Sequence, residues 1–486
     1  MDKLCRIAFS FIVDADPRFA YEGWHLAHSL MQHCAANAKD IHVQFTSDVD
    51  PRTVDIFASI GCNVATLERF GDGKYCNKLA QWSNLSQSAA DHFIFLDTDM
   101  IVVADCRSQL PTNKISAKIV DLPNPPLEVL SEVLTAAGFS TLPDLCNVDA
   151  SVNPTYVGNC NGGLYSVPRQ YSDTLFSVWQ RWALWLLNHN EPLVRAGKES
   201  HVDQISFCLA LHETGLPFAL APSNVNYFIH FAGEHSYFDS AHPISILHYH
   251  NESLNVTGVL EPKGAVTQLE TEAVAAANRE MGKNFDNRIF WDLRYMHFLE
   301  RGSGVGSRGA NLEYKRQLLR DQEAERAKSV LDFGCGDLEV VKALSFRNYV
   351  GIDHSPTALG IAKLARPDWT FLLAPAKDAP PCDLVLCFEV LIHQETVEAY
   401  RAVIDYLVGK TEGALLVSGY EACTEAIRDN PMVFFYEPLS ESLSRSGKFK
   451  SITVAGTHSD VVIFRCAAKR RVAGSGLKRL LSSFWE

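Results

Sequence analysis

The stretch Val330-Leu331-Asp332-Phe333-Gly334-Cys335-Gly336-Asp337 runs an apolar strand into a glycine-bearing turn. Glycines let such a turn close tightly and let a ligand approach the backbone. A dinucleotide fingerprint needs a further glycine three residues after Gly336, and Glu339 stands there instead. The next strand, Tyr349-Val350-Gly351-Ile352-Asp353, ends in an acid that can accept both hydroxyls of a ribose, one βαβ unit downstream. A third strand, from Cys382 to Phe388, ends in Glu389-Val390-Leu391-Ile392-His393. Helices are expected over 312–325, 338–344, 358–365 and 397–407. Strands are expected over 370–373 and 413–418, with a closing antiparallel pair over 452–455 and 460–466. This rhythm predicts a doubly wound α/β sheet.

An earlier α/β rhythm fills the front of the chain. Strands are read over 6–13, 41–46, 63–67 and 92–96, and helices over 21–35, 51–60, 78–89, 179–187 and 202–212, predicting a mostly parallel sheet with helices on both faces. The strand Phe93-Ile94-Phe95-Leu96 runs into Asp97-Thr98-Asp99. Two carboxylates one residue apart, at the carboxyl end of a buried strand, can share a hard divalent cation, Mn2+ or Mg2+, that bridges to phosphate oxygens. The same pair is also compatible with a solvated acidic turn.

Length and composition set the frame. A chain of 486 residues, 47% hydrophobic and 21% charged, exceeds what one hydrophobic core organises, so at least two domains are expected. A net charge of -13 excludes a general nucleic-acid binder, which needs a basic face. The 13 cysteines include no CxxC spacing and read as reduced thiols, and no signal peptide or bilayer-spanning run is recognised, so a cytoplasmic location is expected. The Asn84, Asn251 and Asn255 sequons then read as chance matches. From residue 469 the chain turns basic and amphipathic, with Lys469, Arg470, Arg471, Lys478 and Arg479 beside Leu477, Leu480, Phe484 and Trp485. That pattern is open to contact with the inner membrane face, to a helix docked on its own domain, or to a frayed end.

The front motifs resemble the glycogenin-like, family 8-type glycosyltransferases with a GT-A fold. The resemblance rests on Lys78-Leu79-x-x-Trp82-Ser83 with the Asp-x-Asp, on Asn161-Gly162-Gly163-Leu164, on Val202-Asp203-Gln204, and on Ile246-Leu247-His248-Tyr249-His250. It implies a nucleotide-sugar donor, a UDP-sugar, gripped by Lys78, Asp97, Asn161, Gly162 and Gly163. Asp97, Asp99 and His248 would hold the metal, and Asp203 and Gln204 would act at the sugar. One of these two histidines is expected at the metal, His248 by position, with His250 left open. One departure is visible. The family places a Lys-Pro-Trp shortly after the metal histidine, whereas here Tyr-His-Asn-Glu follows His248, and Lys263 is the next lysine.

The back motifs resemble class I methyltransferases, and the lead Trp291-Asp292-x-Arg294-Tyr295 with Ser303-Gly304-Val305-Gly306-Ser307-Arg308-Gly309 and Tyr314-Lys315 is similar to one subgroup in which this segment folds over the cofactor site. The resemblance implies S-adenosylmethionine bound by Asp332, Gly334, Gly336, Asp353 and Glu389. His393 is the candidate general base, or a residue that caps the next helix. No acid follows the third strand to meet an adenine amino group, and Asp378 is the alternative.

The expected architecture is α/β with two domains, a GT-A nucleotide-diphospho-sugar transferase fold over 1–258 and a Rossmann-like class I methyltransferase fold over 286–468. A helical connector over 259–285 joins them, and a basic tail over 469–486 follows. The expected activity is bifunctional, sugar transfer to a glycan or lipid-linked glycan and methylation of a hydroxyl. The alternative is a methyltransferase whose front domain only binds a sugar nucleotide or glycan.

Overall fold

The computed structural model describes residues 5–230, 235–250, 253–262, 267–428 and 430–469. The Asn251 sequon, Lys263 and the basic tail from Arg470 onward lie outside these. The chain divides into two compact units, Met1–Asn284 and Phe285–Glu486.

In the first unit a seven-stranded sheet runs in the order Phe218–Leu220, Ile115–Ile119, Cys160–Pro168, His92–Leu96, Ile7–Val13, Ile41–Thr46, Asn63–Leu67. The last four are mutually parallel, and Cys160–Pro168 is antiparallel to both its neighbours. The two central parallel strands, Ile7–Val13 and His92–Leu96, are largely apolar and buried, every residue of His92–Leu96 being so, as expected of strands covered on both faces. The chain steps outward from Ile7–Val13 to Asn63–Leu67 and returns to its other side at His92–Leu96. Asp97 therefore emerges at the reversal of strand order, where ligands bind in open α/β sheets.

Local sequence explains the flanking elements. The helix Pro17–His33 starts on Asp16, whose side chain accepts from the Arg18 amide, with Pro17 preset for the first turn. The helices Arg169–Asn188 and Val202–Thr214 pack through Phe176, Trp179 and Phe207. The Trp179 Nε1 donates to the Asp203 carbonyl at 2.8 Å and fixes the start of the second helix. The helix expected over 78–89 is instead a 3-10 turn, Tyr75–Ala80, and a short helix, Gln81–Leu85. Buried Asn77 and Gln81 bind outside the segment, to Phe70 and Ser10, and this pinning replaces a regular helix. A small sheet of Tyr227–Phe228, Ile246–His248 and Met100–Val102 sets His248 opposite Met100. The connector helix Gln268–Lys283, capped by Thr267, belongs to the first unit, where Asn278 brackets both backbone groups of Leu260 and Trp24 donates to the Asn284 carbonyl.

The second unit holds another seven-stranded sheet, ordered Thr370–Leu373, Tyr349–Asp353, Val330–Phe333, Cys382–Cys387, Thr411–Gly419, Val461–Ala468, Phe449–His458. The first five are parallel and the last two close the sheet antiparallel, as expected. Strand order reverses between Val330–Phe333 and Cys382–Cys387, beside the glycine turn. The helix expected over 338–344 does not form. Gly334, Gly336 and Leu338 all have positive φ, and a left-handed leucine interrupts a right-handed helix, so the segment proceeds by turns that bury Leu338, Val341 and Leu344.

Candidate active sites

At the strand reversal of the first unit, Lys78 is the hub. Its Nζ lies 3.1 Å from Asp97 Oδ1 and 3.1 Å from Asp203 Oδ2, and it donates to the Gly162 carbonyl at 2.9 Å. Burial works against the lysine charge, but the two carboxylates outweigh it and hold its pKa above the ordinary value. Asp203 is buried, and its Oδ1 has no hydrogen-bond partner. Gln204 flanks it, with Cγ 3.6 Å from where a Cβ on Gly162 would sit. Gly163 fits because a Cβ there would reach within 2.6 Å of His248.

A second cluster forms one step along the chain. His248 Nε2 lies 3.2 Å from Asp99 Oδ1, and His250 Nδ1 lies 3.7 Å from Asp99 Oδ2. One ligand atom from each of the three residues falls within 4.8 Å of the others. Asn226 donates to Asn161 Oδ1 at 3.0 Å, which leaves its own Oδ1 to accept from His248 Nδ1 at 2.8 Å. That bond fixes the tautomer and turns the Nε2 lone pair toward Asp99. Burial works against the Asp99 charge, yet His248 and His250 hold its carboxyl well below the usual range. Burial and His248 lower His250 to about 3, so it is a neutral ligand at ordinary pH.

One histidine was expected at this point, and the structure brings both; two residues apart, they share a face under strand alternation, so the spacing never separated them. The strand ends at His248, and His250 takes a φ of 49°, which turns its ring back to stack on His248 at 4.1 Å. Asp97, included in the metal set from sequence, is not in the cluster and sits against Lys78 instead. Two imidazoles and a carboxylate are a mixed nitrogen and oxygen donor set, which suits Mn2+ better than Mg2+.

In the second unit a cavity opens at the strand reversal, lined among others by Trp291, Asp332, Gly334, Asp353, Glu389 and His393. Asp353 accepts from the Gly336 amide and the Ser355 amide, each at 2.9 Å, and so locks the glycine turn. Asp332 accepts from the Tyr349 hydroxyl at 2.7 Å, and burial pushes its pKa up to about 7. The lead segment lies over the turn. Ser303 donates to Asp337 at 2.6 Å, Arg308 pairs with Asp337, and a Cβ on Gly336 would strike Ser303 and Tyr295. Glu389, at a φ of 60°, is approached at one oxygen by Lys315 Nζ at 2.6 Å and His458 Nε2 at 2.9 Å. Burial opposes its charge, but His458 and Lys315 bring its pKa down to about 2. A Cβ on Gly306 would collide with that carboxylate, which explains the glycine.

His393 Nδ1 donates to the Met432 carbonyl at 2.7 Å, so its Nε2 carries a lone pair, and burial lowers its pKa. Trp291 meets the ring edge-on at 5.1 Å. Ala374 lines the cavity after the third strand, and Asp378 does not. A glycine turn, an acid at each of two strand ends and flanking aromatic rings are the donor set that an adenosine-bearing cofactor requires. No role was read from sequence for Lys315, His458 or Asn226. The His-x-His repeat was the visible signal for His250, whereas the Lys315 and His458 contacts are long-range and carried none.

A family model described as a Rhodobacterales glycosyltransferase domain matches residues 10–135, and a methyltransferase domain model matches residues 308–432. No curated protein matches. Among solved structures, the N-methyltransferase NodS from Bradyrhizobium japonicum WM9 with S-adenosylhomocysteine is 19% identical, covering 38% of this chain and 100% of its own at a TM-score of 0.32. Magnesium protoporphyrin IX methyltransferase from Synechocystis PCC 6803 is 19% identical, covering 38% and 89% at 0.28. Mouse xyloside xylosyltransferase 1 is 11% identical, covering 51% and 98% at 0.34. The chain thus carries a glycosyltransferase domain in front and an S-adenosylmethionine-dependent methyltransferase domain behind.

Proposed function

We propose that the two domains act on one glycan, the front domain adding a sugar from a nucleotide-sugar donor and the back domain methylating a hydroxyl of the same glycan or of its lipid-linked precursor. Fusion keeps the second acceptor at high effective concentration once the first step is complete. By resemblance to the glycogenin-like enzymes the donor is a UDP-sugar. Asp99, His248 and His250 would hold Mn2+, and a bound divalent cation offsets charge on a departing diphosphate. Lys78 adds a positive charge beside the same place.

The observation that carries the front-domain reading is the buried, unpartnered Oδ1 of Asp203, next to a lysine at a strand reversal. A buried acceptor left unpaired is costly, and a sugar hydroxyl is the donor it lacks. In the back domain S-adenosylmethionine supplies, when bound, an electrophilic methyl group. Trp291 packs against His393, whose neutral Nε2 would accept the proton that the acceptor hydroxyl gives up on methylation.

The test is UDP-sugar turnover by the full chain with and without Mn2+. Turnover that requires Mn2+ and disappears in Asp99→Ala supports the reading. Nucleotide-sugar binding without turnover would overturn it in favour of a front domain that only recognises its ligand, the alternative suggested by the missing Lys-Pro-Trp. For the back domain, His393→Gln should abolish methylation while leaving S-adenosylhomocysteine affinity unchanged.

A further inference from the structure

Cys34 and Cys106 bring two thiols together from separate parts of the first unit. Their sulfurs lie 3.6 Å apart, although the residues are 72 positions apart in the chain. Cys34 caps the helix Pro17–His33, and Cys106 leads into the 3-10 turn Arg107–Gln109. Both are buried, yet Ala35, Asp105 and Arg107 beside them are exposed, so the pair lies just beneath the surface.

The surroundings favour reaction between the two sulfurs. Their shared hydrogen bond holds the Cys34 thiol below its ordinary pKa although burial opposes its charge, and the Arg107 guanidinium acts in the same direction. The same bond, together with burial, pushes the Cys106 thiol up. Cys34 is therefore the sulfur that ionises first, and the thiolate is the reactive form. A disulfide holds its sulfurs about 2.05 Å apart, so closure asks for an approach of about 1.5 Å at a helix end and a loop, where side chains and backbone can follow. The link would also fall at a useful place. The helix lies along the strand Met100–Val102, where Ser29 accepts from the Val102 amide at 3.1 Å, and that strand starts beside Asp99 and pairs with Ile246–His248.

We infer that Cys34 and Cys106 form a redox-sensitive dithiol, closed to a disulfide by a hydroperoxide, and that the bond staples the helix Pro17–His33 to the segment following Met100–Val102. The Cys34 thiolate attacks one oxygen of the peroxide, the O–O bond breaks, and the departing oxygen leaves as water or an alcohol, with Cys34 now a sulfenic acid. Cys106 then gives up its proton and its sulfur attacks the Cys34 sulfur, and the hydroxyl leaves as water. The two thiols together lose two electrons and two protons, and the peroxide is reduced by the same two electrons.

The test uses the full chain carrying Cys5→Ser and Cys423→Ser, which removes the exposed cysteines. It is treated with one equivalent of hydrogen peroxide, mapped by non-reducing peptide mass spectrometry, and unfolded in urea. A linked pair of Cys34 and Cys106 peptides is expected, with two fewer free thiols and a urea midpoint above that of the reduced chain, all reversed by dithiothreitol. The midpoint rises because closing a long loop restricts the unfolded chain. Adding Cys106→Ala should abolish the link and the rise, and leave a Cys34 sulfenic acid that dimedone traps. The inference is overturned if both thiols stay free under excess peroxide, if either sulfur is found joined to another cysteine instead, or if the link forms and the midpoint stays or falls.

Discussion

Replacing Gly163 by alanine should disable the candidate metal centre without touching a ligand. The added Cβ would sit 2.6 Å from His248 Cε1, 2.7 Å from its Nδ1 and 2.9 Å from Asn161 Oδ1. Ordinary contact begins at 3.4 Å, so the imidazole has to retreat by about 0.8 Å. It has no free direction, because the residue is 2% exposed, stacks on His250, and donates Nδ1 to Asn226. Overpacking of this kind costs about 1–3 kcal/mol. A ligand displaced from its supporting hydrogen bond loses about tenfold to a hundredfold in metal affinity. Gly162→Ala is the comparison. Its Cβ meets Lys78 Nζ at 2.7 Å, the far end of a flexible side chain. Mn2+ calorimetry on both variants, with urea denaturation alongside, should show weak Mn2+ binding and reduced stability in Gly163→Ala and near wild-type Mn2+ binding in Gly162→Ala. Wild-type Mn2+ affinity in Gly163→Ala would refute the claim that a pinned His248 builds the centre.

Lys315→Met should destabilise the second unit by about 3 kcal/mol, because it removes the lysine charge that meets the buried Glu389 carboxylate, and Lys315→Met/Glu389→Gln should recover much of the loss in denaturant titrations. Since the Glu389 pKa is depressed to about 2 in the folded state, its stabilisation is present above the ordinary carboxylate value and fades as pH falls toward 2; that acid limb should shrink in Lys315→Met. Asp332 behaves oppositely. Its folded pKa of about 7 lies above the unfolded value, so its contribution is full in acid and lost as pH rises through 7. Asp332→Asn, which still accepts from Tyr349, should therefore gain on the wild type by up to about 4 kcal/mol between pH 4 and 8, and a pH-independent difference in urea midpoint would contradict the assignment.

Several structural features were readable one residue at a time. His92–Leu96, buried throughout, and Thr370–Leu373, half-buried at the sheet edge, have the bounds that their apolar runs suggest. Asp97 follows His92–Leu96 at the carboxyl edge of the sheet, where a ligand is met, whereas Ala374 follows Thr370–Leu373. The 338–344 segment has the apolar spacing of a helix, yet its first residue is left-handed, set by how the preceding glycine turn closes against Ser303 and Tyr295. His248 and His250 stand two residues apart, a spacing that strand alternation places on one face, and the structure sets both at Asp99.

The sequence by itself determined two α/β units, the acids and glycines at their strand ends, and the lead segment that covers the second, because periodicity and turn chemistry are local. Only the tertiary structure decided which polar groups meet: Lys78 with Asp97 and Asp203, two histidines with Asp99, and Lys315 and His458 with Glu389. Those partners lie tens to more than a hundred residues apart in the chain. Their pairing depends on the order and register of strands and on the loss of water around them, neither of which any short stretch of sequence encodes.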